Sequence, residues 1–319
     1  MIIRRILILI PQLIIISILV FILGAMMPGD ALSGMIDPGV SAEVRELQRE
    51  KLGLNDPLAV RYVRWIGGIV RGDFGESFIH RRPVLEVIGE RMANTFFLSL
   101  AILVLTYTIA IPLGVLSGRY SGTVVDKAIL FYVFVSLAMP TMVLGILMIL
   151  FFSFYLGWFP SSGSVDAIVL AKGSAGEILA NRLHHMVLPA ATGALVGMVG
   201  VVFMLRANII DRAFSDYVTL ARSKGVPEGA VFRRHILRNS LIPVAAGFGF
   251  AISGLLTGQL FIERIFQYPG MGHLFFSSVK AQDFAVVNAI ILIFSALTAL
   301  GMLISDILLS ITDPRIRPQ

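Results

Sequence analysis

Six stretches of this sequence are apolar for long enough to cross the roughly 30 Å hydrocarbon core of a bilayer as helices, which takes about 20 residues each. They cover about 6–27, 94–116, 127–155, 186–205, 241–261 and 284–311. In lipid the backbone must satisfy its own polar groups, so such stretches have to be helical or belong to a closed barrel. The chain is therefore expected to be an all-α integral membrane protein with six transmembrane helices. Composition leaves room for nothing else of size. Apolar residues make up 56% and charged residues 14%, against about a quarter charged in a soluble domain, and the mean hydropathy is +0.85. The net charge of +6 and pI near 9.8 fit cationic loops on the cytoplasmic side, so no nucleic-acid partner is expected. The absence of cysteine excludes disulfides, thiolate metal clusters and thiol catalysis.

The first stretch follows Arg4 and Arg5. Its apolar run is about twice the length of a signal-peptide core and no clear cleavage site follows, so a retained helix is expected. Pro11, Pro112, Pro140 and Pro189 lie in or beside the stretches. They predict packed kinks whose freed carbonyls neighbouring helices must satisfy. Orientation follows from the short loops. The 206–240 segment carries Arg206, Arg212, Arg222, Lys224, Arg233, Arg234 and Arg238 against Asp211, Asp216 and Glu228, so it is expected to be cytoplasmic. An even number of crossings then places both termini in the cytoplasm, in keeping with Arg315 and Arg317.

The organisation expected is an N-terminal transmembrane helix at 1–27, an ordered extracytoplasmic cap at 28–93, and a core of five transmembrane helices at 94–319. Within 28–93, the segments 41–52 and 58–70 have helical amphipathic spacing around a break at 53–57. Trp158, Phe159 and Tyr155 cluster at one end of the third stretch, as an interfacial aromatic belt does.

Ionisable residues are nearly absent from the apolar interiors, Asp306 being the main exception. A proton-coupled carrier working alone would need such groups. No Gly-Lys dipeptide occurs, so there is no phosphate-binding loop. Active transport by this chain would then draw its energy from another subunit, through a cytoplasmic surface. The basic 206–240 segment offers one. Asp216 is a candidate N-cap for a helix at about 217–224, Gly225 a stop, and Pro227 the first residue of a second helix that includes Val231, Phe232 and Ile236. Spacing alone leaves open whether this is a force-transmitting elbow or an ordinary basic connection.

The run Asp216-Tyr217-Val218-Thr219-Leu220-Ala221-Arg222-Ser223-Lys224-Gly225 resembles the EAA loop of bacterial ABC importer permeases. Thr219 takes the glutamate slot, Leu220 and Ala221 the alanines, and Gly225 the glycine. His235 and Arg238 replace the later isoleucine and proline, and Leu237 keeps the leucine. Together with Asn239 and Pro243, these departures resemble the dipeptide/oligopeptide/nickel branch. Other landmarks of that branch follow in order. They are Leu52-Gly53-Leu54 with Pro57, Arg61-Tyr62, Gly72-Asp73-Phe74-Gly75-Glu76-Ser77, Pro83-Val84, Asn94-Thr95, Leu188-Pro189-Ala190, Glu263, Phe266, Tyr268-Pro269-Gly270, Gly272 and Asp313-Pro314-Arg315. The long first outer loop resembles that of the "B" permease.

The resemblance implies the type I ABC importer permease fold in the bacterial cell membrane. It also implies a second permease subunit, two ATP-binding-cassette ATPase subunits that hold the ATP and magnesium, an extracytoplasmic solute-binding protein and a peptide cargo. No catalysis, cofactor or metal is expected in this chain. Thr219, Leu220, Ala221, Arg222, Lys224, Gly225, Val226, His235 and Arg238 would couple it to the ATPase. Glu46, Glu263, Tyr268, Pro269, Gly270 and Met271 would meet the binding protein, or alternatively only seal the outer gate. Ser136, Thr141, Ser253, Thr257, Gln259 and Asn288 are candidates to line the pathway, or to form interhelical hydrogen bonds. Nickel or another small solute is the alternative cargo. The adjacent His184 and His185 lack a completing ligand set and are expected to serve the outer loop.

Overall fold

The computed structural model describes residues 2–26, 46–47, 50, 53, 55–255 and 259–312. Apart from an isolated bridge between Glu76 and Pro83, the regular structure among them is helical. Helix α1 (Ile2–Met26) is followed by α2 (Leu58–Val70), α3 (Val84–Arg119), α4 (Val124–Ala138) and α5 (Thr141–Met148). The last continues through a wide-turned π segment, Ile149–Tyr155. Then come α6 (Ala167–Lys172), α7 (Ala175–Ala213), α8 (Asp216–Ser223) and α9 (Glu228–Val231). A second π segment, Phe232–Leu237, joins α9 to α10 (Arg238–Ser240). The chain then forms α11 (Ile242–Ser253), α12 (Leu260–Ile265), α13 (Met271–Lys280) and α14 (Phe284–Thr312).

Helices α3 and α7 are the spine. The residues that α3 buries recur at three- and four-residue steps, from Val84, Val87 and Ile88 through Leu98, Ile102, Thr106 and Ala110 to Gly114 and Gly118. That is one continuous face of a helix. Much of this face lies on α7, and glycines set the distance. A side-chain carbon at Gly193 would stand 2.7 Å from Ile102, and one at Gly197 would stand 3.0 Å from Thr106. In the other direction, one at Gly114 would meet Leu205 at 3.0 Å, and one at Gly118 would meet Ile209 at 2.8 Å. Each helix thus carries a glycine pair four residues apart that admits side chains of the other, the small-residue device by which helices associate in lipid. Positions ascend together along both helices, so α3 and α7 are parallel.

That parallelism has a topological consequence. A chain leaving the end of α3 must return to the opposite end of the pair before α7 begins. The return is made by α4 and α5, which meet at Met139–Pro140 with a bend of 106°. Pro140 supplies no amide donor and cannot continue the α4 ladder. Pro11, Pro112 and Pro189, by contrast, lie inside helices that run on through them.

Among the described residues four helices are long and apolar enough to cross a membrane, α1, α3, α7 and α14, and the bent α4–α5 pair makes a fifth if counted as one crossing. The fifth apolar stretch of the sequence falls on α11 and α12, with residues 256–258 between them outside the described residues. Helix α2 has the bounds that periodicity predicts, whereas 41–52 falls mostly outside. Phe21 of α1 packs on Tyr62 and Trp65 of α2, with ring centroids 5.6 and 5.5 Å apart, and Ser17 shares a 2.8 Å hydrogen bond with the Tyr62 hydroxyl.

Helix α7 begins at a capping box in which Ser174 and Glu177 exchange hydrogen bonds. Buried carboxylates secure other element ends. Asp283 precedes α14 and accepts from Ser77 Oγ at 2.5 Å, tying the turn ahead of α3 to the last helix.

The glycine seam makes a direct prediction. Gly193→Ala forces Ile102 to move and is expected to lower stability by about 1–3 kcal/mol through overpacking. Gly200→Ala, where an added carbon meets nothing within 4 Å, is expected to be neutral or to stabilise α7 by about 0.5–1 kcal/mol. Thermal unfolding of the two variants in detergent, followed by tryptophan fluorescence, checks the contrast.

Candidate functional site

Two compact constructions lie at opposite ends of the α3–α7 spine. The first is an elbow built from α8 and α9. Ser215 is the residue that precedes α8, with extended backbone, and Asp216 is the first helical residue. The expectation that Asp216 is the N-cap is corrected by one position. There its carboxylate still lies over the positive end of the helix. Pro227 likewise precedes α9 rather than opening it, its backbone being extended (ψ 138°). Between the two helices Gly225 has φ +74°, a left-handed conformation that side-chain-bearing residues adopt at a cost of about 1–2 kcal/mol. A carbon added there would meet nothing within 4 Å, so glycine is required by the backbone and not by crowding.

The elbow is seated on the spine. Val218, Ala221, Val231, Phe232 and Ile236 are buried with Leu205 and Ile209 of α7 and Val244 of α11. Those two α7 residues are the ones that fill the α3 glycine gaps, so elbow and spine share side chains. Arg222 ties the elbow across its turn. Its guanidinium donates to both Glu228 carboxylate oxygens at 3.1 and 2.7 Å and to the Ala213 carbonyl at 3.3 Å. The hydrogen bond from Arg222 holds the Glu228 carboxyl below the usual range. Arg119, at the end of α3, lies 4.8 Å above the Phe232 ring.

What the elbow leaves exposed is specific. Ala221 is buried and Val226 half-buried, so of the expected coupling residues Thr219, Leu220, Arg222, Lys224, Gly225 and Arg238 are exposed, while His235 is half-buried. The sequence reading missed Phe214 and Tyr217. Phe214 is 82% exposed and Leu220 56%. With Tyr217 they recur every three residues, giving a ridge of large apolar groups beside the basic residues. The signal was available, since α8 is apolar on two faces and only one of them has an internal partner.

Beside the elbow, Arg206 donates to both oxygens of Asp126 at 2.8 Å. Asp126 is buried and also accepts from Ser117 Oγ at 2.6 Å and from the Gly122 amide at 2.8 Å. One carboxylate therefore joins α3, the α3–α4 turn, α4 and α7 where the elbow begins.

The second construction is a latch at the other end. Glu263 of α12 is fully buried. It accepts from Thr95 Oγ1 at 2.8 Å and from the Gly272 and His273 amides at 2.6 and 3.3 Å. The amides are orphan donors of the α13 N-terminus, so the carboxylate caps α13 from outside its own sequence neighbourhood. A side chain at Gly270 would collide with the Glu263 carboxylate. The Met271 amide donates to Thr95 Oγ1 at 2.7 Å, and Asn94 donates to the Pro269 carbonyl at 2.9 Å. Glu263, Tyr268, Gly270 and Met271 are thus interior, Pro269 is half-buried, and Glu46 is exposed and accepts from Asn55 at 2.8 Å.

The remaining expected residues separate. His184 bonds the Trp158 carbonyl at 2.8 Å and His185 the Ser162 carbonyl at 3.1 Å, so the pair holds the 156–166 connection against α7. Gln259 lines a cavity of about 460 Å³ with Ser99, Thr106, Tyr107 and Thr298. Asn288 lies instead against Gly24 of α1. Ser136 is on α4, near Tyr132, whose hydroxyl donates to the Leu195 carbonyl of α7 at 2.7 Å. Thr141 opens α5. Thr257 lies outside the described residues, as do the side chains of Ser253 and Asp306.

Residues 110–318 match the family described as "Binding-protein-dependent transport system inner membrane component", and residues 1–101 match its N-terminal counterpart. The chain is similar to the oligopeptide transport system permease protein AppB of Bacillus subtilis (strain 168), with 41% identity over 316 residues, 99% of this chain and 98% of that protein. It is also similar to the glutathione transport system permease protein GsiC of Escherichia coli (strain K12), with 35% identity over the same shares.

The Asp126–Arg206 pair gives this site its test. Asp126→Ala strands a partly buried guanidinium and unbonds Ser117 and Gly122. It is expected to cost about 3 kcal/mol, at the low end for a buried pair because Arg206 keeps some contact with water. Faster trypsin cleavage at Arg206 and Arg212, measured alongside the melting temperature, would register the loosened elbow base.

Proposed function

Since the chain belongs to the binding-protein-dependent transport system inner membrane components, we propose that it is a peptide-importing permease whose elbow at 214–228 receives the stroke of a separate ATPase. The observation that carries this reading is the elbow itself. Among the described residues its outer ridge of Phe214, Tyr217 and Leu220 belongs to none of the hydrophobic clusters, while its inner face packs on α7. An apolar ridge rimmed by Lys224 and Arg222 suits a groove on a soluble subunit. A push on it travels through Leu205 and Ile209 into both spine helices at once.

The peptide cargo is proposed from the relatives, which are permease proteins of an oligopeptide and a glutathione transport system. The wider assembly in this reading has a second permease, two ATPase subunits and an extracytoplasmic binding protein. Six crossings with both termini cytoplasmic give the topology, with α11 and α12 contributing one. The basic 206–240 segment supports a cytoplasmic elbow. In this reading the Glu263 latch, the histidine-held 156–166 connection and the 28–93 cap belong to the extracytoplasmic side of a bacterial cytoplasmic membrane. The buried latch keeps the Tyr268-Pro269-Gly270 turn rigid beneath whatever docks there, and Glu46 stays accessible to a partner.

No step of covalent chemistry falls to this chain. Its work is a change between two arrangements of one assembly, and ATP moves the balance only through the difference in its affinity for the two.

Gly225→Val is expected to abolish ATP-driven uptake by the reconstituted complex while leaving membrane insertion intact. Gly225→Asn is expected to retain most of it, because asparagine tolerates the left-handed conformation and the site is open. Wild-type uptake in the valine variant would remove the elbow from the mechanism. In addition, the chain's lack of cysteine permits Leu220→Cys to be crosslinked from a clean background. It is expected to join the ATPase subunit, and labelling of this position from the extracytoplasmic side would reverse the topology.

A further inference from the structure

Helix α2 (Leu58–Val70) is divided lengthwise into three stripes, each recurring at three- and four-residue steps. Leu58, Tyr62, Trp65 and Ile69 form the first. Ala59, Val63, Ile66 and Val70 form the second. Arg61, Arg64 and Gly68 form the third. The first stripe is the attached one, since Tyr62 and Trp65 pack on Phe21 of α1 and the Tyr62 hydroxyl bonds Ser17 at 2.8 Å. The second stripe is bare. Val63 is 66% exposed and Val70 82%, and among the described residues no side chain of α2 belongs to a hydrophobic cluster. On the third, Arg64 pairs with Asp56 at 2.7 Å while its side chain stays exposed.

The place of attachment decides what those stripes meet. Helix α1 is apolar throughout Leu7–Met26. Phe21 lies five residues before Met26, hence about 8 Å along the axis from that end. Ser17 lies nine residues before it, about 13 Å away, and Tyr62 reaches it through the length of its own side chain. The body of α2 therefore lies beside the last apolar turns of α1. That is roughly 5–10 Å inside the end of the crossing, the depth at which amphipathic helices rest in a bilayer surface. At that level a face without a protein neighbour meets lipid.

We propose that α2 is an in-plane membrane-surface helix, and that its occupant is phospholipid of the leaflet in which α1 ends at Met26. Val63 and Val70 enter the acyl chains, and Arg61 and Arg64 stand on the side of the phosphates. Around the helix the order is protein, hydrocarbon, headgroup. The change from apolar to basic within one turn suits that boundary. Tyr62 and Trp65 are amphipathic rings of the kind found there. The arginine stems can lie on apolar surface while the guanidinium groups reach outward to phosphate oxygens. The lipid-facing surface of α1, with Ile18, Leu19, Ile22 and Leu23 exposed, leads directly to α2. Of the α1 residues whose exposure is described, only Ser17 and Val20 are buried, and Ser17 is the one that α2 bonds. A helix held in the surface plane thus sets the depth of a sparsely packed crossing. The proposal needs only that α1 crosses the membrane, and is independent of cargo and ATPase.

The test uses the whole transporter, with cysteine-free companion subunits, in liposomes of phosphatidylethanolamine and phosphatidylglycerol. This chain has no cysteine, so Val63→Cys, Val70→Cys and Arg64→Cys each carry a single nitroxide label. Power saturation in electron paramagnetic resonance reads collisions with dioxygen, which concentrates in hydrocarbon, and with a water-soluble nickel chelate. Labels at 63 and 70 are expected to collide more with oxygen than with nickel, and the label at 64 the reverse. Nickel dominating at 63 and 70 would put the second stripe in water and overturn the proposal. Shielding of both positions from both reagents would reveal a protein seated on the stripe and overturn it equally. Oxygen dominating at all three positions would mean an immersed helix with no headgroup side, which also overturns it. Uptake plays no part in these readings, so each outcome leaves the permease reading as it stands.

Discussion

Everything else in this molecule depends on how closely α3 approaches α7. In lipid no hydrophobic gain draws two apolar helices together, so their association rests on packing contacts and backbone proximity. Gly114, Gly118, Gly193 and Gly197 remove the side chains that would hold the helices apart, and Ile102, Thr106, Leu205 and Ile209 occupy the space. Because the contacts ascend together, the pair is parallel. The bent α4–α5 return, the location of the elbow at one end and the location of the latch at the other all follow from that single arrangement.

Carboxylates finish what the glycines begin. Asp126, Glu263 and Asp283 are all essentially buried, and each collects donors from elements far apart in sequence. Asp126 ties α4 to Arg206 of α7, Glu263 joins α12 to Thr95 of α3 and the start of α13, and Asp283 joins α14 to Ser77. Each takes a full set of directional partners, without which a buried charge would be costly. They sit at helix ends, where unpaired amides are available, and not in mid-helix. The chain thereby reconciles a nearly charge-free apolar interior with fixed geometry at both ends.

Much of this was legible in the sequence, and the exceptions have physical causes. Periodicity marked 58–70 as a helix, and Gly225 as a stop, because both depend on local rules. Family membership was legible from ordered motifs, since 216–225, 235–243 and 263–272 must each keep their spacing. Asp216 and Pro227 were displaced by one position, because residue preference identifies a cap but not which neighbour adopts the extended backbone. The fifth apolar stretch was read as one helix, whereas α11 ends at Ser253, because hydropathy counts apolar residues and does not register Gly254 in the turn that follows it. The partners of Asp126 and Glu263 lie 80 and 168 residues away, and no local pattern points to them. The inward turn of Ala221 and the outward turn of Phe214 depended on where α7 ends, which only the assembled structure reveals.

The π segment between α9 and α10 bears on how motion divides. A π turn holds one more residue than an α turn. Relaxing Phe232–Leu237 to α geometry would rotate everything beyond Leu237 by about 100° relative to everything before Phe232. The element is thus a swivel set between two stiff members. A displacement of α8 would reach α3 and α7 through Leu205 and Ile209, whereas a change of pitch at the swivel would reach α11 as rotation.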